Sequence, residues 1–88
     1  DLGLKDKVAL VSGGTSGIGL AVSQRLSEEG CKLALAGRRQ AKLDRALAQV
    51  DRAQGFIADV CDPVQVSALV DGVVAAYGRI DIVVSNAG

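Results

Sequence analysis

The sequence predicts an α/β fold, a parallel sheet of strand order 3-2-1-4 with helices on both faces. Three observations carry that expectation. Four short apolar runs alternate with three stretches of helical periodicity along 88 residues. Glycine or a charged cluster punctuates almost every boundary between them. The segments also have the lengths of strand–helix–strand units, whose right-handed crossovers make successive strands parallel and leave the first strand central.

Lys7 to Val11 opens the sheet as a short apolar run, flanked by charge before it and glycine after it. The first helix begins near Gly17. Ile18, Ala21, Val22 and Leu26 recur at helical spacing as its buried stripe, and Gly30 supplies a left-handed stop. Cys31 to Ala36 is the second strand. Leu43, Ala46, Leu47 and Val50 mark the apolar face of a second helix, with Lys42, Asp44, Arg45 and Gln49 opposite. Gly55 to Ala58 is a short third strand that runs into Asp59. Asp62-Pro63 starts the third helix, an Asp cap followed by Pro in the first turn. Val66, Leu69, Val70, Val73 and Tyr77 line its buried side, Gly78 ends it, and Ile80 to Val84 form the fourth strand. That strand stands at an edge in the expected order, and an apolar unpaired edge is a liability that whole domains cover. Further strands are therefore expected to follow Gly88, with residues 1–88 as one portion of a single domain.

Composition narrows the function classes. Ten basic and ten acidic residues cancel, so no global charge favours nucleic acid or a membrane surface. No apolar run approaches the ~20 residues of a membrane span, and the opening residues are not a signal peptide. A cytoplasmic location is expected. There is no His, and Cys31 and Cys61 are thirty residues apart, so no metal site is expected. One cysteine falls at the start of a strand and the other past the end of its neighbour, about 17 Å away at 3.3 Å per residue, too far for a disulfide.

The most informative stretch is Ser12-Gly13-Gly14-Thr15-Ser16-Gly17-Ile18-Gly19, with four glycines in eight residues. A cluster of this kind can be a plain tight turn. Here Gly13, Gly17 and Gly19 keep a four-then-two spacing where a strand becomes a helix. The helix start offers unpaired N–H groups and the positive end of its dipole, and glycine lets a phosphate come close to them. Thr15 and Ser16 add hydroxyl donors. Phosphate or pyrophosphate binding follows. The G-x-G-x-x-G fingerprint is excluded by Thr15 and Ile18, and a P-loop by Leu20 and Ala21.

These residues resemble the short-chain dehydrogenase/reductases, whose glycine motif is T-G-x-x-x-G-x-G; Ser12 replaces the Thr and keeps its hydroxyl. The resemblance extends along the chain through "LKDKVALVSG", through Ala58-Asp59-Val60, and through "YGRIDIVVSNAG" at Tyr77 to Gly88. It implies a Rossmann-type fold and a nicotinamide dinucleotide cofactor. It also implies hydride transfer between that cofactor and a carbonyl or alcohol substrate, and a homo-oligomer. By resemblance Gly13, Thr15, Ser16, Gly17, Ile18 and Gly19 cradle the cofactor. Asp59, beside Val60, bonds the adenine amino group, and Asn86-Ala87-Gly88 lies beneath the cofactor.

About twenty residues past the glycines, an acid favours NAD and a cation favours NADP. This chain has Arg38 and Arg39 there, and no acid between Gly30 and Lys42. A guanidinium pair can clamp a 2′-phosphate, with Arg38 the better placed, so NADP(H) is expected over NAD(H). The alternative is that both arginines edge a solvated loop. The position where many NADP-selective relatives carry a second basic residue holds Ser16, so the expectation rests on the arginine pair.

The family's catalytic Ser, Tyr and Lys are not matched. The only tyrosine, Tyr77, is followed four residues on by Asp81 and belongs to a buried stripe. No catalytic residue is assigned in residues 1–88. The competing reading is a stand-alone half-Rossmann module that binds nucleotide or assembles through its open edge without catalysis.

Overall fold

The computed structural model describes residues 3–13 and 17–86. The expected Thr15, Ser16, Ala87 and Gly88 positions lie outside them, as does Gly14. Along the chain run β1 (Val8–Ser12), α1 (Gly17–Glu28), β2 (Lys32–Gly37), α2 (Gln40–Leu47), β3 (Ala53–Ile57), α3 (Pro63–Tyr77) and β4 (Ile82–Ser85). All pairings are parallel and the order is β3-β2-β1-β4, as the winding requires. Strand bounds move by one or two residues from the sequence expectation. β1 and β2 each run one residue further, to Ser12 and Gly37, and β4 begins at Ile82, just after Asp81, whose N–H donates to the Val8 carbonyl at 2.8 Å.

The sheet separates two apolar layers. Ala9, Val11, Leu33 and Leu35 point to α1 and α2, where they meet Leu43, Ala46 and Val50. Val8, Leu10, Ala34 and Ala36 point to the other face and meet Leu69 and Val73 of α3. β1 and β2 are buried on both faces, which is why they read as continuous apolar runs and not as alternating ones.

Helix ends follow their chemistry. Gly30, at φ +96°, closes α1: its N–H donates to the Ser27 carbonyl (3.0 Å) and that of Cys31 to the Leu26 carbonyl (3.0 Å), a Schellman pair. Asp62 accepts from the Val64 N–H with Pro63 next to it, and left-handed Gly78 ends α3.

α1 departs from the expected stripe. Ile18 is 76% exposed and Ala21 is exposed, while Gly19, Ser23 and Ser27 are buried, with Leu20 and Leu26 packed at their margins. Small residues let the helix lie close to the sheet. The Ser23 hydroxyl is hidden at no polar cost because it donates to the Gly19 carbonyl one turn back, at 2.8 Å. In α3, Val70 sits at the rim of the buried face, 38% exposed.

Candidate functional site

The carboxyl ends of β1, β2, β3 and β4 converge on one edge, and those expected site residues that are described fall there. β1 leads into Gly13 (φ +73°), whose N–H donates to the Ala36 carbonyl of β2 at 3.2 Å. β4 leads into Asn86, whose N–H donates to the Ser12 carbonyl (3.1 Å) and whose Nδ2 donates to the Gly13 carbonyl (3.4 Å). Asn86 therefore ties the glycine loop to the end of β4.

The three described motif glycines do different work. A Cβ on Gly13 would run into the Asn86 carbonyl oxygen, and one on Gly19 into the Gly13 carbonyl oxygen, so both positions let backbone pack on backbone. Gly17, at φ +59° in the first turn of α1, has nothing among the described residues within 4 Å of where its Cβ would be. No described side chain or backbone crowds that position, at the helix end whose first N–H groups lack intrahelical partners. Ile18 stands exposed beside it.

Arg38 and Arg39 follow β2 directly and both side chains are exposed; neither enters an ion pair among the described residues. Arg39 occupies the N-cap position of α2 without a side-chain cap bond. Past β3, the Ala58 N–H donates to the Gly37 carbonyl at 3.0 Å, and half-buried Asp59 begins a turn into α3. Its Oδ1 accepts from the Cys61 N–H at 2.9 Å. Val60 is 48% exposed on the same edge. The structure therefore gathers Gly13, Gly17, Ile18, Gly19, Arg38, Arg39, Asp59, Val60 and Asn86 at one end of the sheet.

Two residues were not legible: Gln65, beside the site, and Asp81, a structural tie at the amino ends of the strands. Gln65 accepts from the Asp59 N–H through Oε1 at 2.8 Å. Its signal is weak, a polar residue three positions after an Asp cap. Asp81 accepts from the Val8 N–H through Oδ2 (2.8 Å), and Arg79 Nε donates to its Oδ1 (3.0 Å). The Val8 bond, then the Arg79 guanidinium, hold the Asp81 carboxyl below its ordinary value.

Tyr77 belongs to the core and not to the site. Its hydroxyl donates to the Leu33 carbonyl at 2.9 Å, and burial pushes its pKa up. Both cysteines are free. Cys31 is buried, with its thiol pushed up first by burial and then by the charges of Asp81 and Glu29, and Cys61 is exposed. No cluster of metal-ligating side chains occurs among the described residues.

Residues 7–88 match the family profile for short chain dehydrogenase. A 3α-hydroxysteroid dehydrogenase of Mediterraneibacter gnavus is 41% identical over 91 residues, covering 97% of this chain and 36% of the relative. Among solved structures, the actinorhodin polyketide ketoreductase with NADPH superposes with a TM-score of 0.90 at 39% identity, over 94% of this chain and 33% of that one. The 3-ketoacyl-(acyl-carrier-protein) reductase of Brucella melitensis complexed with NADH gives 0.85 at 31% identity, over 91% and 33%. The chain thus spans about a third of the length of the relatives it matches. With the glycine loop, the strand order and the residue match in agreement, the chain belongs to the short-chain dehydrogenase family.

Proposed function

We propose that residues 1–88 are the amino-terminal dinucleotide-binding portion of one Rossmann-type domain in an oxidoreductase that takes NADP(H) in preference to NAD(H). The observation that carries this reading is Gly17, a left-handed residue with no described atom within 4 Å of a Cβ, at the start of the twelve-residue helix α1. A diphosphate there meets backbone donors and a positive helix end with no side chain in its way. Gly13 and Gly19 hold the loop in place from behind, and Thr15 and Ser16 add hydroxyl donors. Asp59 accepts from the adenine amino group, and Asn86, Ala87 and Gly88 line the floor.

Arg38, with Arg39 beside it, pairs with the 2′-phosphate. Solved relatives carry either NADPH or NADH, so the preference rests on these arginines and on the missing acid between Gly30 and Lys42. When bound, the nicotinamide supplies or accepts the hydride. The substrate is a small-molecule carbonyl or alcohol, in keeping with relatives that are a ketoreductase and a hydroxysteroid dehydrogenase, and no residue of 1–88 is assigned to its protonation. We place the protein in the cytoplasm as a homo-oligomer with no nucleic-acid or membrane partner. The balanced charge speaks against a nucleic-acid or membrane partner, the homo-oligomer follows from the family resemblance, and no described helix is long and apolar enough to cross a membrane.

Titration with NADPH and NADH tests the cofactor reading. NADPH is expected to bind at least about tenfold more tightly, as a charge-assisted pair gives, and Arg38→Ala is expected to remove most of that margin. Equal affinities in the unaltered chain, or an undiminished margin in the variant, would reject the 2′-phosphate role.

One observation favours a second reading. β4 is an edge strand, and its Val83 is 66% exposed. Such an edge can pair with a second copy, giving a self-assembling nucleotide-binding module without catalysis. Sedimentation of the 88-residue chain decides this: a dimer broken by Val83→Lys supports the module, and a monomer at high concentration sinks it.

A further inference from the structure

Asp59 stands in a turn between the sheet and α3, and its backbone lies beyond the last rung of β3. Gln65, in the first turn of α3, reaches back to it. Gln65 Oε1 accepts from the Asp59 N–H at 2.8 Å, and Gln65 Nε2 donates to Asp62 Oδ2 at 3.3 Å. The two contacts fix the amide's orientation, since only the oxygen can meet an N–H and only the nitrogen can meet a carboxylate. Asp62 is itself fixed, because its Oδ1 accepts from the Val64 N–H at 2.9 Å.

On the sheet side, the Ala58 N–H is held by the Gly37 carbonyl at 3.0 Å. The Asp59 carbonyl accepts from the Asp62 N–H at 3.1 Å, and its Oδ1 accepts from the Cys61 N–H at 2.9 Å. The peptide carrying Asp59 is therefore tied from both sides, and Gln65 is the only side chain among the described residues that bonds its N–H. Oδ2 is left without a bond among them.

Resting on the reading that Asp59 meets the adenine amino group, we propose that Gln65 is a positioning residue for base recognition. By holding the Asp59 backbone, it aims the carboxylate so that the site accepts a base bearing an exocyclic amine and refuses one bearing a carbonyl. A carboxylate is an acceptor only, so it bonds the amine of adenine and repels the carbonyl oxygen of hypoxanthine. Gln65 is exposed, so its loss leaves both apolar layers intact.

The test is the affinity of the 88-residue chain for NADPH and for its hypoxanthine analogue, by calorimetry, in the unaltered chain, Gln65→Ala and Asp59→Ala. The unaltered chain is expected to favour the adenine form by about tenfold. Asp59→Ala is expected to lose that preference, and Gln65→Ala to retain about threefold or less. If Gln65→Ala keeps the full preference while Asp59→Ala loses it, or weakens both dinucleotides equally, the positioning role is overturned and the role of Asp59 stands. If Asp59→Ala keeps the preference, or the unaltered chain has none, the Asp59 reading fails and this inference fails with it.

Discussion

The two ends of the sheet are built on opposite plans. At the amino ends of the strands, loop groups satisfy one another. Asp81 bonds the Val8 N–H, the Asp6 N–H donates to the Gly30 carbonyl, and the Arg52 carbonyl takes the Leu33 N–H. The Ser27 hydroxyl donates to the Asp51 carbonyl at 2.7 Å, and Arg52 Nη2 donates to the Ser27 carbonyl at 3.1 Å. The shallow hollow between Gln24, Ser27, Gln49 and Arg52 is crossed by these bonds. At the carboxyl ends, Gly13 and Gly19 pack backbone on backbone, while Gly17 has no described atom within 4 Å of a Cβ and the two arginines are exposed. Parallel strands put all their carboxyl ends on one side, so one end can be closed for stability while the other stays open for a ligand.

Substitutions can break or sharpen this contrast. The largest effect is expected for Gly13→Ala, where a Cβ meets backbone and the residue is left-handed. A loss of about 3 kcal/mol or more, read from the urea midpoint, separates this packing glycine from the open one. Gly17→Ala is expected to cost only about 1–2 kcal/mol of backbone strain, yet to weaken dinucleotide binding well beyond its effect on stability. If Gly17→Ala binds normally, the open end is not where phosphate sits.

At the closed end, Asp81→Asn is expected to destabilise the fold in a pH-dependent way. A carboxylate whose folded pKa is depressed contributes stability above its ordinary value of 3.8, and that contribution is lost as pH falls through the lower folded value. The gap between Asp81→Asn and the unaltered chain should therefore be full at pH 7 and close below about pH 3.8. A gap of equal size at pH 7 and pH 2.5 would mean that charge plays no part. The smallest effect is expected for Tyr77→Phe. Losing the bond to the Leu33 carbonyl costs about 1 kcal/mol, with no change in NADPH affinity measured by the same titration.

The contrast also explains what the sequence made legible. Strand order was readable because the centres of β1 and β2 are continuously apolar and the connecting segments have crossover length. The glycine loop was readable because its spacing is set by backbone contacts between Gly13, Gly19 and Asn86, which no other residue satisfies. The face of α1 was not, because hydrophobicity points to Ile18 and Ala21 while close packing selects Gly19, Ser23 and Ser27. Asp81 and Gln65 were missed for a related reason. Each acts through a single backbone N–H brought to it by folding, 73 residues away for Asp81 and six for Gln65, and composition and periodicity carry no trace of that pairing.

The central claim is that the open end of the sheet is the dinucleotide site, and amide NMR of the 88-residue chain titrated with NADPH tests it most directly. Shifts should concentrate on Gly13, Gly17, Ile18, Gly19, Arg38, Arg39, Asp59 and Val60, with Ser27, Asp51 and Arg52 at the closed end unmoved. Shifts centred on Ser27, Asp51 and Arg52, or none at the glycine loop under saturating NADPH, would contradict the account.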